Sequence, residues 1–354
     1  MTTAQSAIFW GALLALCVLA LWLLRAILLP FVLGMAIAFL LDPPVAWLEG
    51  RGVSRAAAAG VIVLGSYAVG LGAAILLTPV IVGQVVELSR RFPAYVSRAL
   101  DLAEPVASRL LAAFSAEGHE SLAGPLEAVA ERVGGMLGDL VAGLLGQGWA
   151  LLNLAGLLAV TPLVAFYLLR DWPRFIARID ELLPLAHAET IRARAHEIDR
   201  ILAGFARGQA IVCVALGLFY AVALSVLGID FGLVIGLGAG IVSFVPYLGT
   251  AIGLVASVGM AMAQFWPGWT RPLLALVVFF VGQLVADYVL TPRLVGERVG
   301  LHPLWVVFAV FAGGALFGVV GMLIAVPASA AIGVLVRLGV GAYKGSSLYR
   351  DGAA

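Results

Sequence analysis

The chain has 354 residues, of which 63% are hydrophobic and 12% are charged. A soluble protein carries about 45–50% apolar and about 25% charged residues, so this composition excludes a disordered chain, a nucleic-acid-binding protein and an ordinary cytosolic enzyme. The net charge of +1 is too balanced for a polyanionic partner. Cys17 and Cys213 both lie in apolar runs, which indicates neither a disulfide framework nor a metal site.

Long uncharged runs recur along the whole chain. A helix needs about 20 mostly apolar residues to cross a bilayer. The sequence is therefore predicted to fold as an all-α polytopic membrane protein with about eight transmembrane helices, because a β-barrel would show alternating segments of roughly ten residues. The runs that lack Asp, Glu, Lys and Arg and approach or exceed the required length are 1–24, 26–41, 56–86, 140–169, 208–229, 231–270, 272–286 and 299–336.

The first two runs are separated by Arg25 alone and are predicted to form a tight helical hairpin. The first run is not expected to be a cleavable signal peptide, because it lacks a basic leading region and a small-residue cleavage site. Asp42-Pro43-Pro44 is predicted to end the second span, because proline is poorly tolerated inside a helix.

Two of the runs, 231–270 and 299–336, are too long for one straight crossing. Each would form a helix of roughly 55–60 Å at 1.5 Å per residue, whereas the hydrocarbon core is about 30 Å thick. Pro246 and Gly249 interrupt the first run, and Gly313-Gly314 and Gly318 interrupt the second. Broken or re-entrant helices, or pairs of short crossings, are therefore predicted in the C-terminal half.

The distribution of arginine predicts the orientation in the membrane. Basic residues concentrate at 51–55, at 170–207 and near the C-terminal end, which favours cytoplasmic N- and C-termini in an eight-crossing arrangement. A ten-crossing arrangement fits the charges equally well, so the side of the membrane on which the loop 293–302 lies stays open.

Two polar segments interrupt the apolar pattern. Residues 84–137 carry apolar side chains every three or four positions and are predicted to form an amphipathic helical excursion after the third span, with kinks or restarts at Pro93 and Pro105. This excursion is interpreted either as a solvated or membrane-surface cap or as an oligomerisation or gating element. Residues 171–207 alternate arginine with acidic residues and are predicted to form a salt-bridged cytoplasmic helical segment.

The sequence contains no constellation typical of catalysis or metal binding. No Walker A sequence is present, which argues against ATP-driven pumping. Gly236, Gly238 and Gly240 lack the surrounding parallel sheet of a dinucleotide loop and are predicted instead to let helices approach closely. We expect no cofactor, no metal and no enzymatic activity. The histidines lie far from any second ligand at metal spacing: His119, His187, His196 and His302.

Asp287 is an acidic residue within an otherwise apolar run. A carboxylate at membrane depth costs about 2.5–3.5 kcal/mol on insertion scales, so such residues commonly mark a solute or ion pathway. Gln283 lies four positions earlier and therefore shares its helix face. The alternative is a helix-end carboxylate paired with Arg293, about a turn and a half away.

A second polar feature interrupts the run 231–270 at Pro246, Tyr247, Gly249 and Thr250. A broken helix frees backbone N–H and C=O groups, which must be satisfied by protein or by a water-filled cavity. Transporters use such breaks to bind solutes near the bilayer midplane. The alternative is a proline kink held by neighbouring helices.

Three stretches of the C-terminal half resemble the AI-2E family of bacterial membrane permeases. They are Phe244-Val-Pro246-Tyr247-Leu-Gly249-Thr250, Asp287-Tyr-Val-Leu-Thr-Pro292-Arg293-Leu-Val-Gly296, and Gly300-Leu-His-Pro-Leu-Trp305 followed by the glycine-rich residues 313–322 and Pro327. The resemblance covers nearly the whole chain and is most specific over 204–335.

The resemblance implies an inner-membrane protein with about eight spans that is often oligomeric. Family members are linked to export of the quorum-sensing signal autoinducer-2, and others to sodium or lithium efflux in exchange for protons. Members often carry Asp-Asn where this chain has Asp287-Tyr288, which implies a different substrate if the amide contacts the solute.

The leading hypothesis is a secondary transporter that moves a small polar solute, with export of an autoinducer-2-like molecule as the named possibility. Asp287 would be the proton- or solute-linked carboxylate, Arg293 its partner or a gate charge, and 246–250 a source of backbone and hydroxyl ligands. The alternatives are a sodium or lithium/proton antiporter and a non-transporting oligomeric scaffold. The expected partners are the lipid bilayer, a small polar solute or monovalent cation, and further copies of the chain.

The same hypothesis divides the chain into six segments. The predicted segments are 1–83 with the first three spans, 84–137 as the amphipathic excursion, 138–170 as the fourth span, 171–207 as the arginine-rich helical segment, 208–340 as the transport core and 341–354 as a cytoplasmic tail.

Overall fold

The computed structural model describes residues 18–114, 148–185, 188–295 and 303–345, together with scattered positions in 11–16 and 128–138. Helices account for nearly all of these residues, and the described part of the chain contains no strand. The prediction of an all-α protein is therefore confirmed. The helices are α1 (Leu28–Glu49), α2 (Arg55–Phe114), α3 (Gly148–Glu181), α4 (Ala188–Val226), α5 (Gly232–Val242), α6 (Leu248–Phe265), α7 (Thr270–Val285) and α8 (Pro303–Gly345), with a π-helical segment at Ala286–Val295 after α7.

Seven of the described helices are long and apolar enough to cross a membrane, and α5 is a shorter apolar helix. This number and composition confirm the polytopic membrane class. The first apolar run lies mostly outside the described residues. A single 3-10 turn, Arg25–Ile27, connects its end to α1, and the hairpin predicted there stays a prediction.

The residues form two compact units, each held together by contacts among its own members. The first unit contains 1–68, 155–209 and 291–354, and the second contains 69–154 and 210–290. The six predicted segments say which parts of the chain lie in the membrane and which lie in solvent. The two units are defined by contacts and do not test that division, which stays a prediction.

Small side chains from α1, α2 and α3 form the main core of the first unit. Its buried members are mostly alanine and valine, which lets the three helices approach closely. A smaller cluster joins the amino-terminal half of α4 to α8 through Ile201, Ala330 and Val334. The main cluster consists of Ala38, Val45, Ala58, Ala59, Val63, Ala165 and Leu169.

The prediction that Pro43 and Pro44 end the second span is wrong. Helix α1 continues through both prolines and ends at Glu49, with the Gly50 N–H donating to the Ala46 carbonyl. The residue after the prolines, Val45, is fully buried in the main core. Tertiary packing of this turn therefore compensates for the two backbone hydrogen bonds that the prolines cannot donate.

Helix α2 has 60 residues and joins the third apolar run to the amphipathic excursion. It passes through Pro93 and Pro105 without ending, so the predicted restarts do not occur. About 20 residues suffice to cross a bilayer, and the remainder of α2 therefore extends beyond a single crossing. The second part of the excursion, 115–137, lies almost entirely outside the described residues.

Glycines bring α4 and α5 into close contact in the second unit. A methyl group at Gly236 would collide with the Ala221 backbone, and one at Gly240 would collide with the Gly217 backbone. Gly238 faces open space. Two of the three glycines therefore permit helix contact, as the sequence predicts, rather than forming a phosphate-binding loop.

The predicted break in the run 231–270 is confirmed. Helix α5 ends at Val242, and α6 begins at Leu248 after a turn that includes Pro246. Tyr247 precedes α6 with a φ of 67°, a left-handed conformation that is uncommon for a residue with a side chain. The run 231–270 therefore forms two short helices rather than one long helix.

Helix α8 also contains the predicted interruption. Gly318 adopts a φ of 62° and a ψ of −139°, which no helix accommodates. Residues eight apart on a straight helix would lie about 12 Å apart, yet a methyl group at Gly313 would be 2.5 Å from the Gly321 carbonyl oxygen. The chain therefore folds back at Gly318, and α8 is a pair of helical arms.

Candidate functional site

Two hydrogen bonds connect three polar side chains of the second unit. The Thr250 hydroxyl donates to Gln283 Oε1 at 2.7 Å, and Gln283 Nε2 donates to Asp287 Oδ1 at 2.9 Å. We call Thr250, Gln283 and Asp287 the polar relay. Hydroxyl, amide and carboxylate groups together offer both donors and acceptors to a polar solute.

Three helical segments position the polar relay. Thr250 lies in the first turn of α6, directly after the break at Pro246. Gln283 lies in the last turn of α7, and Asp287 lies in the π-helical segment that follows. Turns of π-helix are rare and occur frequently at functional sites. The π-helical segment here carries Asp287, the carboxylate that the sequence places on the predicted solute pathway.

Tyr220 of α4 lies beside the polar relay. Its side chain is fully buried and stacks on Phe279, with ring centroids 4.2 Å apart and an angle of 20° between the planes. Its hydroxyl lies near Thr250 and Asp287, but it meets the distance and angle of a hydrogen bond with no residue that the structure describes. A buried hydroxyl without a partner costs about 1–3 kcal/mol, so a polar group brought to Tyr220 would recover this free energy.

Gly282 provides the space that Tyr220 occupies. A methyl group at this position would overlap the ring and hydroxyl of Tyr220. The glycine is fully surrounded and directly precedes Gln283 in α7. The α4–α7 contact therefore fixes the tyrosine hydroxyl next to the amide of the polar relay.

The Asp287 side chain is exposed on the surface of the chain, within a helix that is long and apolar enough to span a membrane. Among the residues of the second unit that the structure describes, it has no ion-pair partner. A carboxylate facing acyl chains is costly. In a bilayer this side chain is therefore expected to face water or polar protein surface.

The break contributes one side chain to the polar relay, namely Thr250. The Tyr247 side chain is 52% exposed, and Gly249 packs against Ser243 and Ala239. Some backbone groups of the turn are already hydrogen-bonded within it, because the Val245 N–H donates to the Val242 carbonyl and the Leu248 N–H donates to the Val245 carbonyl. The ligand roles assigned to Pro246, Tyr247 and Gly249 stay predictions.

Arg293 lies near the end of the π-helical segment. Residues up to 290 belong to the second unit and residues from 291 onward to the first. Pairing of Arg293 with Asp287, or a role as a gate charge, stays a prediction.

Tyr220 is the site residue that sequence analysis does not identify. A signal is present, because Tyr220 is the one tyrosine in the run 208–229. A buried tyrosine usually finds a hydrogen-bond partner for its hydroxyl. A tyrosine in the middle of an apolar span therefore indicates a nearby polar group, although not which one.

Comparison with known proteins assigns the chain to a family. The sequence profile described as AI-2E family transporter matches residues 12–341. The chain belongs to this family. The resemblance noted in the C-terminal motifs of the AI-2E permeases is therefore confirmed and extends over nearly the whole sequence.

Proteins from several bacteria are similar to this chain along most of their length. A Bacillus subtilis (strain 168) protein provisionally named transport protein YrrI is 26% identical over 89% of this chain and 87% of its own length. A Synechocystis protein provisionally named transport protein sll0063 is 28% identical over 88% and 76%. The Escherichia coli (strain K12) protein provisionally named permease PerM is 25% identical over 88% and 87%. These names describe transport, and the chain is a multi-pass membrane protein of a bacterial permease family.

Proposed function

We propose that the chain is a secondary transporter that moves a small polar solute, with the polar relay and Tyr220 as its solute-binding groups. The observation that carries this proposal is the buried Tyr220 hydroxyl, which has no hydrogen-bond partner in the described chain and lies beside Thr250 and Asp287. A solute hydroxyl placed there would satisfy Tyr220. It would also exchange hydrogen bonds with the amide and the carboxylate.

The chemistry of these groups favours a hydroxylated solute. Two hydroxyls, one amide and one carboxylate can bind several solute hydroxyls, and the polar relay itself contains no basic side chain to attract an anion. Export of an autoinducer-2-like molecule fits this chemistry and is the first case to test. We further propose a bacterial inner-membrane location with cytoplasmic termini, a homo-oligomeric assembly and no enzymatic turnover.

Asp287→Asn is the decisive variant. The substitution keeps the size and the hydrogen bond to Gln283 but removes the charge, so we expect a loss of at least tenfold in transport rate if the carboxylate binds solute or carries a coupled proton. The measurement is flux into proteoliposomes with a panel of hydroxylated solutes under an imposed proton gradient. Glu189→Gln, at the exposed start of α4, is the matched control and should transport at the normal rate.

The same proteoliposomes distinguish the alternatives. A change in internal pH that requires sodium or lithium, with no solute flux, would replace solute export by cation/proton antiport. An Asp287→Asn protein that retains the full rate and its pH dependence would reject the proposed role. If the unmodified protein shows neither saturable flux of a panel member nor a sodium- or lithium-dependent change in internal pH, the scaffold hypothesis replaces transport.

A further inference from the structure

A cavity of about 440 Å³ lies within the first unit, between α1, the start of α2, the end of α3 and α4. Its size falls within the range of about 300–1,000 Å³ that is usual for ligand pockets. Part of its lining is charged, and Met35, Phe39 and Trp172 are apolar lining residues. The charged and titratable lining residues are Asp42, Arg55, His196, Asp199, Arg200 and Arg207.

One arginine of the cavity is fully engaged by the protein. Arg55 donates from Nε to the Leu169 carbonyl at 2.7 Å and forms ion pairs with Asp42 at 3.0 Å and Glu49 at 2.8 Å. One guanidinium faces two carboxylates here, so this group as a whole is not positively charged. It fixes the wall formed by α1, α2 and α3 and leaves no positive charge of Arg55 for a ligand.

The other two arginines retain most of their donors. Arg207 donates from Nε to the Ala203 carbonyl of its own helix, which leaves its terminal N–H groups uncommitted. Arg200 forms no hydrogen bond or ion pair within the ranges that the structure describes, and neither does Asp199. Since two arginines face one aspartate on α4, this wall of the cavity carries its positive charge.

The helical spacing directs these groups toward one space. His196, Arg200, Ala203 and Arg207 follow one another at intervals of three or four positions and therefore share one face of α4. Arg200 and Arg207 are two turns apart, about 10 Å along the axis. A guanidinium group presents a planar set of donors that matches the oxygens of a phosphate.

We propose that this cavity binds a phosphate group carried by a molecule with an apolar part. Arg200 and Arg207 would hold the phosphate, and Met35, Phe39 and Trp172 would contact the apolar part. A phospholipid headgroup entering from the bilayer and a free organic phosphate share this chemistry. The proposal is independent of the polar relay, which belongs to the second unit.

Binding is tested with the full-length protein purified in a maltoside detergent. The probes are phenyl phosphate, measured by isothermal titration with benzyl alcohol as the neutral control, and phosphatidylglycerol, measured by its displacement of phenyl phosphate with phosphatidylcholine as the control. Because a charge-assisted hydrogen bond to phosphate is lost, we expect Arg200→Gln and Arg207→Gln each to raise the Kd about tenfold. Arg178→Gln removes an exposed arginine that does not line the cavity and should change the Kd less than twofold.

Asp199→Asn provides a test that does not depend on removing an arginine. It deletes the one uncommitted negative charge of the cavity, so the Kd should fall about two- to fivefold. Binding of phenyl phosphate alone identifies a free phosphate as the ligand, whereas displacement by phosphatidylglycerol at lower concentration identifies a lipid. The proposal is overturned if neither probe binds, if Arg178→Gln weakens binding as much as Arg200→Gln, or if Asp199→Asn leaves the Kd unchanged.

Discussion

Tyr220 can be tested through the stability of the protein without solute. Its hydroxyl is buried and has no hydrogen-bond partner in the described chain, so Tyr220→Phe removes an unsatisfied polar atom and keeps the stacking on Phe279. We expect the variant to be more stable by about 1 kcal/mol and to melt at a higher temperature in detergent. Tyr288→Phe, at a side chain that is 77% exposed, is the control and should leave the melting temperature unchanged.

A lower melting temperature for Tyr220→Phe would contradict this account, because it would show that the hydroxyl is already satisfied in the solute-free protein. The measured KM adds a second readout. If the hydroxyl binds solute, the phenylalanine variant should show a higher KM although it is the more stable protein.

The sequence predicts part of the site and not its assembly. Gln283 and Asp287 are four residues apart, so their shared face follows from helical geometry. Thr250 is 33 residues from Gln283, and only the packing of α6 against α7 brings the two side chains together. Tyr220 requires a further contact between α4 and α7, which Gly282 permits. No local pattern encodes these distant contacts.

At the scale of helices, polar contacts attach the extended part of α2 to the rest of the second unit. The Tyr95 hydroxyl donates to Asp230 Oδ2 at 2.8 Å, and Arg91 lies 3.6 Å from the same carboxylate. Gln264 supports the loop that carries Asp230, since it accepts from the Asp230 N–H at 2.9 Å and donates to the Gly228 carbonyl at 3.1 Å. The amphipathic helix is therefore held by specific hydrogen bonds as well as by its apolar face.

Tyr95→Phe tests this attachment. Loss of a hydrogen bond to a charged acceptor costs about 1.5–3 kcal/mol, so local opening of residues 88–100 should become at least tenfold more frequent. Hydrogen–deuterium exchange of peptides from this segment measures the change. Ser97→Ala is the control, because within the described part of the chain the Ser97 hydroxyl donates to the Ala94 carbonyl of its own helix and to no other group. Equal exchange in the tyrosine and serine variants would show that the contact with Asp230 does not hold the helix.

Helix interruptions are predictable where the backbone itself requires them, and not where packing decides. Gly318 adopts a positive φ, and the run 231–270 breaks beside Pro246, so both predicted interruptions are present. Pro43 and Pro44 looked equally disruptive, yet burial of Val45 keeps α1 helical. A proline inside a helix always loses one backbone hydrogen bond, and this cost can be read from the local sequence. The burial that compensates for it depends on residues of α2 and α3, which the local sequence does not reveal.

At the scale of the whole molecule, the membrane class follows from composition, because the proportion of apolar residues exceeds what any soluble core requires. The structure adds which apolar side chains lie outside the protein core. Many large ones are exposed along the spanning helices, including Leu64 at 72%, Val69 at 74% and Leu76 at 76%. Contiguous exposed apolar surface of this extent requires a bilayer or another protein surface to cover it.

A matched pair of leucines tests whether lipid is the surrounding medium. Leu76 is 76% exposed in the middle of a spanning helix, and Leu182 is 83% exposed directly after the span in α3 ends at Glu181. Arginine at the centre of a span costs about 3 kcal/mol of insertion free energy, while arginine in a loop costs almost nothing. Leu76→Arg should therefore sharply reduce the fraction of protein that resists carbonate extraction from membranes, and Leu182→Arg should not. Equal membrane retention of the two variants would mean that the surface around Leu76 is not in contact with acyl chains.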